Sequence, residues 1–272
     1  MIIVYNSDDE DFCKLENNNN IDSNVYKNTF VINDGTKPSY VDTFILPSLN
    51  FICIIGTKKF INCPNEYLKN ALEKNNVDFE EINFSHSFLM WILWKLSLGE
   101  SISPEITIDF FDDLKVGLSN PKNVSNDNTP NSIKTSGGGN ELPSLPICYG
   151  LFNKKTLNHL KGEFQYDDNE FEVKLNILKE TNNNFESEIF IYSNGCLSGL
   201  MHSKKLQLVL PFVYKLSHVV KKWETSKTEE KYPDEDYLNQ LLDNAVAEFN
   251  DMIEAFKEFK QEHLSKINNE SD

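Results

Sequence analysis

Phe171-Glu172-Val173-Lys174-Leu175-Asn176-Ile177 alternates apolar and polar side chains without a break. Successive side chains of an extended chain point to opposite faces, so this spacing predicts an antiparallel strand with one buried and one wet face. The Asn-rich turn Asn182-Asn183-Asn184 and the run Ile189-Phe190-Ile191-Tyr192, closed by Asn194-Gly195, complete a hairpin. Leu197 to Leu200 offer a third strand, and a short helix is expected from Lys154 to Leu160.

Toward the C-terminus the period changes from two to 3.6. Leu206, Leu210, Val213, Leu216, Val220 and Trp223 line one face of a helix over about 204–223, with a kink or a later start expected at Pro211. Asp234-Glu235-Asp236 then opens a long acidic helix, since negative charge favours the first turn. Leu238, Leu242, Ala245, Phe249, Met252, Phe256 and Phe259 recur along it at spacings of three and four, a heptad seam. Phenylalanine at both seam positions is unusual for a dimeric coiled coil, so docking of the seam onto its own lobe is expected ahead of a helix–helix dimer.

Toward the N-terminus, Thr29-Phe30-Val31-Ile32, a turn at Asn33-Asp34-Gly35, and Tyr40 to Leu46 read as a hairpin. Phe51-Ile52-Cys53-Ile54-Ile55 is a continuous apolar run of the kind found in central strands covered on both faces. A helix from Pro64 to about Lys74 and short strands over Asp78–Phe84 and Ile106–Phe110 follow. Between the last two, Phe88 to Leu96 is apolar on every side and ends at Gly99, which predicts a helix buried centrally in its domain. Residues 118–146 are rich in Asn, Ser, Thr, Pro and Gly and read as a flexible linker. The predicted fold is therefore α+β in two lobes. Residues 1–117 form a small sheet with a buried helix, and residues 147–272 an antiparallel β-meander followed by two helices.

The composition narrows the chemistry. All 26 basic residues are lysine, and the net charge is −16. Arginine is the residue suited to bidentate clamping of phosphate and to reading guanine, so nucleic acid is not expected as the main ligand. The acidic balance also opposes attraction to anionic membranes. Five scattered cysteines without a Cys-x-x-Cys pair fit reduced thiols rather than a disulfide framework or a zinc site. The longest apolar window is about half of the ~20 residues a membrane span needs, and the N-terminus has no basic leader. A cytoplasmic protein is expected, without a resident metal or cofactor.

Asp168, Glu172 and Lys174 are the candidate catalytic residues. An acid ahead of a strand bearing Glu-x-Lys is the pattern of a Mg²⁺-dependent nuclease-like site, where carboxylates hold the ion and lysine stabilises developing charge. The solvated face of an alternating strand presents the same residues. Cys196 with His202 is a second arrangement, of nucleophile and base, although a cysteine just after a turn is more often structural. Gly137-Gly138-Gly139 lacks the Gly-Lys-Ser/Thr of a phosphate loop. The sequence therefore favours a non-enzymatic protein–protein interaction or regulatory subunit. Its candidate contact residues are Leu242, Phe249, Met252, Phe256 and Phe259, and its partner is another protein chain or a second copy.

Overall fold

The computed structural model describes residues 11–14, 24–33, 38–46, 51–55, 69–70, 72–75, 80–117, 132–140, 143–181 and 184–269. The fold is α+β, and the chain divides into two units, 1–83 with 197–222 and 84–196 with 223–272. This division replaces the expected break at 118–146, because one sheet spans that position.

In the first unit, β1 (Asp11–Lys14), β2 (Asn24–Asn33), β3 (Pro38–Leu46) and β4 (Phe51–Ile55) form an antiparallel sheet in sequence order. The hairpin read at 29–46 is β2 paired with β3. β4 is an end strand of the described sheet rather than a central one. Its apolar run is explained by helical cover: Phe51 meets Tyr214 edge-on, ring centroids 5.2 Å apart. Tyr214 belongs to α3 (His202–Thr225), which starts at His202 and passes through Pro211. Of the helix expected over 64–74, residues 69–70 and 72–74 are described and helical. The strand expected over Asp78–Phe84 is irregular chain at 80–84.

The second unit is built on an antiparallel sheet ordered β6-β5-β7-β8-β9. These strands are β5 (Ile106–Gly117), β6 (Ser132–Asn140), β7 (Thr156–Tyr166), β8 (Asn169–Thr181) and β9 (Asn184–Ile191). The hairpin at 171–192 is β8 with β9. Three sequence expectations are corrected. Ser132–Asn140, inside the expected linker, is an edge strand on β5. Between Phe111↔Asn140 and Asp113↔Ser136 its register slips, so the glycine run 137–139 occupies a bulge, where glycine is tolerated. The helix expected at 154–160 is strand β7, and the helix instead precedes it as α2 (Leu145–Phe152). The third strand expected at Leu197–Leu200 is absent too: Gly195–Leu197 is a single helical turn.

One face of this sheet is the core: Ile106, Leu114 and Val116 of β5, Leu160 and Phe164 of β7, and Phe171, Val173 and Leu175 of β8 are buried. At Gly162 the backbones of β5 and β7 approach so closely that an added Cβ would lie 2.5 Å from the Phe110 carbonyl oxygen. Against the sheet packs α1 (His86–Ser97), apolar all round as read, with Phe88, Leu89, Trp91, Ile92, Leu93, Trp94 and Leu96 buried. Ser85 caps it by accepting from the Phe88 N–H. Gly99 ends it at φ +66° in a Schellman arrangement, with Gly99 N–H donating to the Leu96 carbonyl and Glu100 N–H to that of Lys95.

His86 fastens α1 to β7, its Nδ1 accepting the Leu157 N–H at 2.8 Å. Burial holds its imidazole below the usual histidine range. A depressed folded-state pKa means that His86 contributes stability at pH above about 6.5, lost as pH falls through the folded value. His86→Asn, which keeps an acceptor but does not titrate, is expected to weaken the fall in melting temperature between pH 7 and pH 5. An unchanged acid profile would remove His86 as its cause.

Candidate functional site

After the single turn of α4 (Thr228–Lys231), the last helix, α5 (Glu235–Asn269), is 35 residues long, about 50 Å at 1.5 Å per residue. Asp234 caps it by accepting the Tyr237 N–H at 2.8 Å, and Glu235 and Asp236 place negative charge at its positive end. Its first turns dock through Tyr237, Leu241 and Ala245, spaced by four and buried. Docking is onto α2 and is fixed by two polar ties. Asn244 donates to the Pro143 carbonyl at 3.0 Å. The Glu248 carboxylate accepts the Leu145 N–H at the start of α2, where Ser144 makes no side-chain cap.

From Phe249 to Lys260 every side chain of α5 is exposed to solvent. Phe249 is 56%, Met252 62%, Phe256 68% and Phe259 64% exposed, and Leu242 is half exposed. The expected docking of the seam onto its own lobe is thereby corrected. Only Ala245 of the seven seam residues is buried. The helix carries two apolar rows side by side, and the row 237–241–245 is the one that packs. Val246 and Ile253, at 52% and 38% exposure, belong to the uncovered row and stand one residue beyond the seam positions Ala245 and Met252.

The wet face of the five-stranded sheet carries the other candidates. Asp168 is not beside Glu172. Asp167 and Asp168 form the two-residue turn between Tyr166 and Asn169, both at positive φ (50° and 60°), as a primed hairpin turn requires. Four residues of strand, about 13 Å, separate Asp168 from Glu172. Glu172 pairs with Lys161 and accepts from Asn194. Lys174 lies over the Phe190 ring at 4.0 Å. Among the described residues no group of three His, Cys, Asp or Glu side chains is placed to hold a metal ion. Cys196 donates its thiol to the Glu170 carbonyl at 2.8 Å, and burial pushes that thiol up, away from thiolate. The side chain of His202 lies outside the described residues.

The organising group of this face is Lys161, which the alternation of β7 alone does not distinguish. It also pairs with Asp112 at 3.3 Å and lies 5.1 Å from the centre of the Tyr192 ring. Lys134 pairs with Asp113 across β5 and β6. Glu163, beside them, is held above the usual carboxylate range by burial and by Glu170, Asp109, Asp112 and Glu172. A raised acid costs stability once the pH exceeds the ordinary value. Glu163→Gln is therefore expected to raise stability at pH 7 by a few tenths of a kcal/mol, and Lys161→Met to lower it by about 1 kcal/mol, both shrinking in salt. Paired chemical denaturations at low and high ionic strength check the two signs.

No protein-family model matches this chain, and no curated protein or solved structure matches it. Among the described residues no helix is long and apolar enough to cross a membrane.

Proposed function

We propose that this chain is a non-enzymatic protein–protein interaction or regulatory subunit of a larger cytoplasmic assembly, and that the distal part of α5 is its contact surface. The observation that carries this reading is the uncovered row Phe249, Met252 and Phe256 on a helix whose first turns are firmly anchored. Contiguous exposed apolar patches larger than a few hundred Å² are rare on monomers and mark places where other molecules sit. The anchored end supports the reading further, since it presents the free end on a fixed base. The alternative, a Mg²⁺-dependent nuclease-like enzyme, draws no support from the separation of Asp168 from Glu172 or from the partners that engage Glu172 and Lys174.

The test is the double variant Phe249→Glu/Phe256→Glu expressed in the native host. An unchanged melting temperature with loss of the native-mass complex and of biological function supports the contact surface. A variant that keeps both removes it. Glu172→Ala and Lys174→Ala are expected to leave function intact; loss in either, with unchanged melting temperature, would turn the reading toward the enzyme.

A further inference from the structure

We infer that the partner of the uncovered α5 row is a second copy of this chain, joined helix to helix in antiparallel orientation. The inference rests on the reading of α5 as a contact surface and names its occupant.

The first argument is size. Leu242, Val246, Phe249, Met252, Ile253 and Phe256 are 38% to 68% exposed. With a covered phenylalanine contributing ~150–250 Å², the row offers on the order of 700 Å², close to the ~800 Å² per partner of a standard specific interface.

The second is register. Positions 242, 246, 249, 253, 256 and 260 are spaced four, three, four, three, four, an a/d seam. A parallel pair would set Phe249 on Phe249 and Phe256 on Phe256, and would face Lys260 with Lys260. An antiparallel pair with its two-fold axis at residue 251 sets Phe249 against Ile253 and Phe256 against Val246, a large ring against a β-branched side chain in each layer. It also lays the Lys260 stem along Leu242, with the ammonium free to reach water. Such a pair is isologous and closes as a dimer.

The third is charge. The exposed acids Asp251, Glu254 and Glu258 lie on the side of the helix away from the seam, so a basic partner helix would find its complement at the back. On the seam's flank stand Asp243 and Lys257, at equivalent heptad positions, with Lys257 also paired at 2.7 Å to Glu254 of its own helix. The antiparallel register brings Asp243 of one copy beside Lys257 of the other, twice per dimer, whereas the parallel register brings neither beside an opposite charge.

The test is sedimentation equilibrium of the full chain over a wide concentration range. The wild type is expected to be a dimer and Phe249→Glu/Phe256→Glu a monomer of unchanged melting temperature. Asp243→Lys is expected to weaken dimerisation about tenfold, since two attractive pairs become repulsive, and adding Lys257→Asp to restore it. A wild type that stays monomeric overturns the inference. If Phe249→Glu/Phe256→Glu then still loses its native-mass complex in the host, a different protein covers the row and the contact-surface reading stands. If it keeps that complex, both fall. A dimer that ignores the seam variants, or that Asp243→Lys/Lys257→Asp fails to restore, also overturns the arrangement.

Discussion

Replacing Phe88 with alanine is expected to cost the second unit ~3–5 kcal/mol, the range for emptying a fully buried aromatic site. Phe88 is completely buried, with its ring 5.7 Å from Trp91, 6.0 Å from Phe84 and 5.4 Å from Trp223. Two of these neighbours lie within nine residues of chain, but Trp223 does not, so the ring joins α1 to the segment that leads into α5. For a unit of this size each kcal/mol lowers the melting temperature by about 2–4 °C, so a fall of about 10 °C is expected by calorimetry. Phe88→Leu, which keeps much of the volume, should cost far less. Equal losses in the two variants would show that the ring contacts are incidental.

The second large effect is at Tyr237. Its ring is buried among the residues that seat α5, while its hydroxyl has no hydrogen-bond partner among the described residues. Tyr237→Ala is expected to cost ~3–5 kcal/mol and to loosen the base of α5. Tyr237→Phe is expected to stabilise by about 1 kcal/mol, because it removes an unsatisfied buried group. The pH profile gives an independent check. Burial, and then the neighbouring Cys148, raise the phenol above its usual range. The stability it contributes is therefore complete below about pH 10 and is lost as pH rises beyond that, when the unfolded chain ionises first. The phenylalanine variant should flatten that alkaline limb. A destabilised Tyr237→Phe would mean that the hydroxyl has a partner after all.

Elements with a clean period were legible in the sequence. β8 and β9 followed from alternation, α1 from its all-round apolarity and α3 from its single stripe. β7 was misread because Leu157 and Leu160 stand three apart, as on a helix. The cause is an irregularity around Asn158, where Lys115↔His159 is followed by Val116↔Leu157. Gly162, an inward position with no side chain, hides the alternation further. β6 was hidden by composition, since its pairing uses backbone groups that leave no apolar trace. Asp168 was singled out for its charge, but its place follows from the φ angle that the turn demands. On α5 the periodicity was plain, yet adjacent apolar residues at 237–238 and 241–242 fitted two rows equally. Only the Asn244 and Glu248 ties to Pro143 and Leu145 settle which row is seated.

The interleaving of the two units bears on the order in which the chain can fold during synthesis. The first unit begins at residue 1 but needs 197–222 to complete it. At ~5–20 residues per second, its sheet waits roughly 10–30 s for α3 while the whole of β5 to β9 emerges. The second unit in turn lacks Trp223, Tyr237, Leu241 and the carboxylate of Glu248 until the chain has grown past those positions. During that interval the apolar side chains meant for late partners are open to solvent and to neighbouring nascent chains. A chain halted between residues 191 and 197 therefore has the strands of both sheets but neither unit closed, the kind of species that chaperones hold or proteases clear.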